Sequence, residues 1–130
     1  MSVDYAAPMR AILLVAVGAA IGGVLRHLIG KVVHSAAGHG FPYGTLVVNI
    51  AGCLAIGIVM AKFAAEDAPG DDAHHAIAIG LLGGFTTFSA FGRETIELVH
   101  AGRVGAALVY VAVANIAGLA AVWVGWRVMK

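Results

Sequence analysis

Charged positions in this chain fall in clusters, with long apolar stretches between them. Residues 11–25, 32–61, 73–92 and 104–126 contain no Asp, Glu, Lys or Arg. A helix needs about 20 mostly apolar residues to cross the hydrocarbon core of a bilayer. The last three stretches reach that length, and the first does if it continues past Arg26. The pattern predicts an all-α membrane domain over residues 1–130, with helices near 9–30, 43–63, 73–99 and 103–127. Arg10 ahead of an apolar run resembles a secretory signal, but three further spans and no clear cleavage site favour an ordinary first helix.

The connections read as short. "AAEDAPGDD", 64–72, holds four of the seven acids beside Pro69 and Gly70, and reads as a solvated loop that also caps the third span. "KVVHSAAGHGF", 31–41, reads as a looser Gly/His linker ending at Pro42, which suits a first helical turn. A tight turn falls around Gly102, and no repeat of 20–50 residues is present.

Composition agrees with the pattern. Of 130 residues 61% are hydrophobic and 12% charged, and a soluble domain this small needs far more polar cover. The net charge of +1 provides no basic footprint for nucleic acid. Cys53 is alone, so no intrachain disulfide forms, and it reads as packing. The six histidines do not complete a metal set: His74 and His75 point to different helix faces, and His34 and His39 fall in the linker.

Four spans put both termini on one side. That side carries Arg10, Lys62, Arg127 and Lys130; the other carries Arg26, Lys31, Arg93 and Arg103. Four against four gives the positive-inside rule nothing to act on, and predicts insertion in both orientations. The alternative is that one charge near a helix end decides a single orientation. Four helices are few to enclose a pathway alone. Gly18 with Gly22, and Gly118 with Gly125, lie on common faces that allow close helix contact, and oligomerisation is expected.

Polar groups inside the spans mark where chemistry happens. Thr45 and Asn49 share a face of the second span, with Asn49 roughly 10 Å down it. Asn49 fits either an interhelical hydrogen bond or an N–H donor to an anion. Arg26 fits either snorkelling to headgroups or a fixed charge in an aqueous vestibule. Arg93 and Glu94 read as an ion pair. "GLLGGFTTFSAFGRE", 80–94, places weak helix formers in mid-span. Gly83-Gly84 supply a flexible backbone and Thr86-Thr87 hydroxyls that bond back to it, which predicts a helix break. Such breaks persist only where they meet protein, a cavity or an ion, and their freed carbonyls favour a cation. Phe88 and Phe91 follow on one face, with Ser89 beside them. They fit packing, or a pair of positive ring edges lining a dry path for a small anion.

"GGFTTFSAFGRE", with "GTLVVNIAG" and "GAAIGGVLRHLIG", closely resembles the small fluoride channel family of the Fluc/CrcB type. The resemblance spans nearly the whole chain, and its third-span motif is the most specific. It implies an antiparallel, dual-topology homodimer in the cell inner membrane, surrounded by lipid, with two fluoride pores at the subunit interface. It implies pore roles for Asn49, Phe88 and Phe91, and a central structural sodium ion on the carbonyls of Gly83 and Thr86. Arg26, Thr45 and Tyr110 match the family's arginine, threonine and fourth-span tyrosine. The chain departs where a serine often follows that tyrosine by four residues: Ala114 stands there, and Asn115 next to it is expected to point elsewhere.

Fluoride is small and strongly hydrated, so donors such as Asn49, Ser89 and Tyr110 would replace its water. Passive exit would protect the cell against fluoride, and the chain has no nucleotide-binding motif for a pump. A proton-coupled exporter of the small multidrug type needs an intramembrane acid, and only Glu94 and Glu97 come near. A non-conducting scaffold subunit would leave the break without a purpose. An enzyme is disfavoured because Ser89 has no His/Asp partner in the same spans.

Overall fold

The computed structural model describes residues 6–65 and 68–130. Among them, four stretches are long and apolar enough to cross a membrane. The first is α1 (Ala6–Ala37), the second α2 (Tyr43–Phe63) and the last α5 (Val104–Val128). The third is divided. Its first half, α3, covers residues 71–85 and joins Asp71–Ala73, His74–Leu82 and Gly83–Phe85; its second half is α4 (Phe88–His100). The middle piece of α3, His74–Leu82, is wound wide with i→i+5 hydrogen bonding.

The second and fourth spans lie within about a residue of their expected bounds. The first does not. α1 has 32 residues, about 48 Å at 1.5 Å each, against a hydrocarbon core of about 30 Å. The expected linker 31–41 is therefore mostly helix, and His34 sits on α1, its ring 4.1 Å from that of His39. Nothing in "KVVHSAA" breaks a helix, and Arg26 and Lys31 line a cavity rather than stand at a terminus. The chain turns at Gly38, where φ is 85°. Pro42 stands just before α2 as its cap.

At the other end, Gly70 begins α3 without any side-chain cap, contrary to expectation. Asp71 and Asp72 instead occupy the first turn, where carboxylates favour a helix N-terminus. Arg10 pairs with Asp72 and ties α1 to α3. Glu66 and Asp67 lie outside the described residues.

Glycines decide how the helices pair. α1 runs along α3 and α2 along α5. A Cβ on Gly22 would lie 2.8 Å from the Phe85 nitrogen, and one on Gly84 2.7 Å from the Ala19 Cα. On the other pair, a Cβ on Gly125 would lie 3.0 Å from the Ile58 nitrogen. The small-residue faces expected to serve oligomer contacts thus seat helices inside one subunit: Gly18 and Gly22 on α3, Gly125 on α2, and Gly118 beside Cys53. Leu98, Ala107 and Tyr110 form a small core that fixes α4 to α5, with Phe41 and Leu46 against it. Most large apolar side chains, among them Ile12, Leu13, Ile116 and Leu119, face outward.

Candidate ion pathway

The third span is interrupted at Thr86 and Thr87, both extended. The break expected in the Gly83-Gly84/Thr86-Thr87 cluster, ahead of Phe88, falls at its two threonines. Both glycines remain helical, and Gly84 serves close contact with α1 instead.

Unpaired backbone in a membrane must find partners, and here side chains supply them. Asn49 Oδ1 accepts from the Thr87 N–H at 2.8 Å while Asn49 Nδ2 donates to the Thr87 carbonyl at 2.9 Å. The Thr86 hydroxyl donates back to the Leu82 carbonyl at 3.0 Å. Thr87 Oγ1 caps α4 by accepting from the Ala90 N–H at 3.2 Å. Arg26 Nη1 donates to the Thr86 carbonyl at 3.4 Å. Three spans therefore meet at one junction. The Thr87 N–H faces Asn49, so the Gly83 carbonyl, four residues earlier, loses its regular helical donor.

Two cavities flank this junction. A groove of about 380 Å³ is bordered by Asn49, Thr86, Thr87, Phe88, Phe91 and Asn115. Gly83 and Ala114 also border it, so Ala114 and Asn115 both face the groove, contrary to the expectation that Asn115 points elsewhere. Phe88 is 81% exposed in the single subunit. Its ring centroid lies 5.5 Å from that of Phe91, and Phe91 lies 5.1 Å from Tyr110. Ser89 is exposed beside Thr87, at 3.3 Å between hydroxyls, and borders neither cavity.

The second cavity is a vestibule of about 1010 Å³ between the end of α1, the start of α2 and the end of α4. Arg26, Lys31, Arg93 and Arg103 line it, against Glu94 and Glu97. Four cations against two carboxylates leave it positive, a field that concentrates anions. Arg93 is held by Glu97 at 2.7 Å and lies 3.7 Å from Glu94, so the expected Arg93–Glu94 pair is the weaker of the two contacts. Arg103 donates to the Gly40 carbonyl.

Glu94 is the residue that sequence reasoning undervalued. Its side chain is 17% exposed and lines the vestibule. Thr45 Oγ1 donates to it at 2.7 Å, and the Tyr110 hydroxyl at 2.8 Å. Thr45 and Tyr110, the residues matched to the family's threonine and fourth-span tyrosine, thus both give their hydroxyls to one carboxylate. The available signal was spacing: Glu94 follows Phe91 by three residues and shares its helical face.

Comparison with known families decides the affiliation. Residues 13–126 match the model of the family described as CrcB-like protein, Camphor Resistance (CrcB). The chain belongs to the CrcB-like family. A Thermus thermophilus relative is 41% identical over 119 residues, covering 92% of this chain and 94% of its own. A Flavobacterium psychrophilum relative is 37% identical over 122 residues, covering 94% and 98%. One from Novosphingobium aromaticivorans is 40% identical over 124 residues, also covering 94% and 98%. All three carry the name fluoride-specific ion channel FluC. For this CrcB-like chain the matched region takes in the junction, both cavities and Glu94.

Proposed function

We propose that this chain is a subunit of a passive fluoride-selective channel that lets fluoride leave the cytoplasm through the inner membrane. One observation carries the reading: a cationic vestibule adjoins a groove floored by the Asn49–Thr87 junction and the Phe88 and Phe91 rings. The vestibule gathers anions from water. The groove then presents N–H donors and ring edges, which suit a small dehydrated anion. The names of relatives about 40% identical over most of the chain support the choice of ion. The test is efflux from liposomes holding the purified protein. Fluoride should leave far faster than chloride and without a proton gradient; equal rates, or a requirement for that gradient, overturn the assignment.

The ring edges have their own test. Phe91→Ile keeps apolar bulk and removes the edge. An aromatic contact is worth about 0.5–1.5 kcal/mol, so fluoride flux should fall roughly two- to tenfold. Unchanged flux would make Phe91 a packing residue only.

A second copy, antiparallel to the first, would close the groove. The fully open Phe88 and the even division of Lys and Arg, four at each end, support this. C-terminal reporters should reveal both orientations in one population, and a single orientation would refute dual topology. Adding several Lys residues at one end should force one orientation and depress flux in singly expressed protein.

A structural sodium ion at the centre of that pair is the remaining element. The Gly83 carbonyl lacks its helical donor, and among the described residues the Thr86 carbonyl receives only the long Arg26 contact. Two such carbonyls from each copy suit a monovalent cation, whose charge would favour nearby anions. A high-resolution map of the dimer should contain a cation there, with ligand distances too short for water; water-like distances would remove it.

A further inference from the structure

We infer that Asn115 is the α5 contribution to the fluoride path, its carboxamide donating to the ion across the groove from Asn49. The inference rests on the channel reading above. Between Val104 and Val122, α5 carries two strongly polar side chains, Tyr110 and Asn115. Tyr110 is fully buried and its hydroxyl is given to Glu94. Asn115 is different. It is exposed, and it lies 11 residues into the helix, about 17 Å from the helix start and so near mid-depth of a core about 30 Å thick.

A carboxamide facing lipid at that depth is costly. Asn115 instead borders the groove that also presents Asn49, Phe88 and Phe91. Its Nδ2 donates to the Val111 carbonyl, one turn back, at 2.7 Å. That bond fixes the amide against its own helix and uses one of its two N–H groups, leaving the other for the groove. Asn49 spends an N–H and its oxygen on Thr87. Ala114, small and beside it, leaves room for an ion. The chain thus supplies through Asn115 a donor that neither Ala114 nor the occupied Tyr110 can offer.

A packing role for Asn115 makes different predictions, and flux measured against fluoride concentration separates them. In liposomes, Asn115→Ala should lower fluoride flux about tenfold and raise the half-saturating fluoride concentration, with the purified protein eluting as the parent does. Asn115→Ser, which retains a short donor, should recover part of both. Asn115→Asp, which replaces the donor with a negative charge, should fall below Asn115→Ala. Parent-like flux and half-saturation in Asn115→Ala overturn the assignment, as does a loss of flux that merely tracks loss of assembled protein at unchanged half-saturation. A parent protein that passes no fluoride overturns the channel reading itself, and this assignment with it.

Discussion

Asn49→Leu should lower fluoride efflux by roughly tenfold to a hundredfold while the protein still inserts in the membrane. Asn49 makes two hydrogen bonds to Thr87, one to its N–H and one to its carbonyl. Leucine has similar bulk and neither group, so a donor and an acceptor are orphaned together inside the bilayer. Each orphan costs about 1–3 kcal/mol, which Thr87 can recover only by shifting. Any shift carries Phe88, the next residue, with it, along with the start of α4. The path then loses both its amide donor and the placement of its rings. Asn49→Asp is the informative companion: it keeps the acceptor for the Thr87 N–H but sets a carboxylate against the Thr87 carbonyl. Liposome efflux for the two variants, normalised to reconstituted protein, measures the effect. Parent-like flux from both would mean the junction does not govern permeation.

Gly84→Val should abolish stable folding rather than conduction alone. A Cβ at Gly84 would lie 2.7 Å from the Ala19 Cα and 3.0 Å from its carbonyl carbon, all backbone that cannot swing aside. Overpacking a tight contact costs about 1–3 kcal/mol, and valine adds two more methyl groups to the clash. α1 and α3 would separate, taking Arg26 away from Thr86. The readout is the monodisperse peak in detergent, which should be lost or aggregated. Gly105→Val is the control, since a Cβ there meets nothing within 4 Å. A normal peak for Gly84→Val would mean α1 and α3 tolerate a wider separation.

The fold was legible where charge and hydropathy alone decide it. α2 and α5 fall where their uncharged runs fall, because bilayer thickness sets both. α1 was cut short because residues 31–41 read as a Gly/His linker; the helix runs on to Ala37, and only tertiary structure places Arg26 and Lys31 on the wall of a cavity. The break was legible in the Gly-Gly/Thr-Thr cluster before Phe88, but not which of those residues would open. Glycine both weakens a helix and permits close approach, and Gly84 serves the second purpose. Thr86 and Thr87 open because Asn49, 38 residues from Thr87 in the chain, holds them open. Glu94 stayed obscure for the same reason: adjacent Arg93 offers an obvious partner, while Thr45 and Tyr110 come from distant spans. The wide winding over His74–Leu82 left no readable mark in residues common to ordinary helices.

The vestibule lies at the end of the subunit where α1 finishes and α2 begins. Alone, such a conductor would rectify, because ions arriving from one side would meet a cationic mouth and those from the other would not. In an antiparallel pair, each side of the membrane receives one vestibule from one of the two copies. Each pore taken singly could still favour one direction. In such a pair the two would run oppositely, so their currents would sum to a curve that is odd in voltage under identical solutions. Only the gradient would then set the direction of net flow, whichever way an assembly happened to enter the membrane.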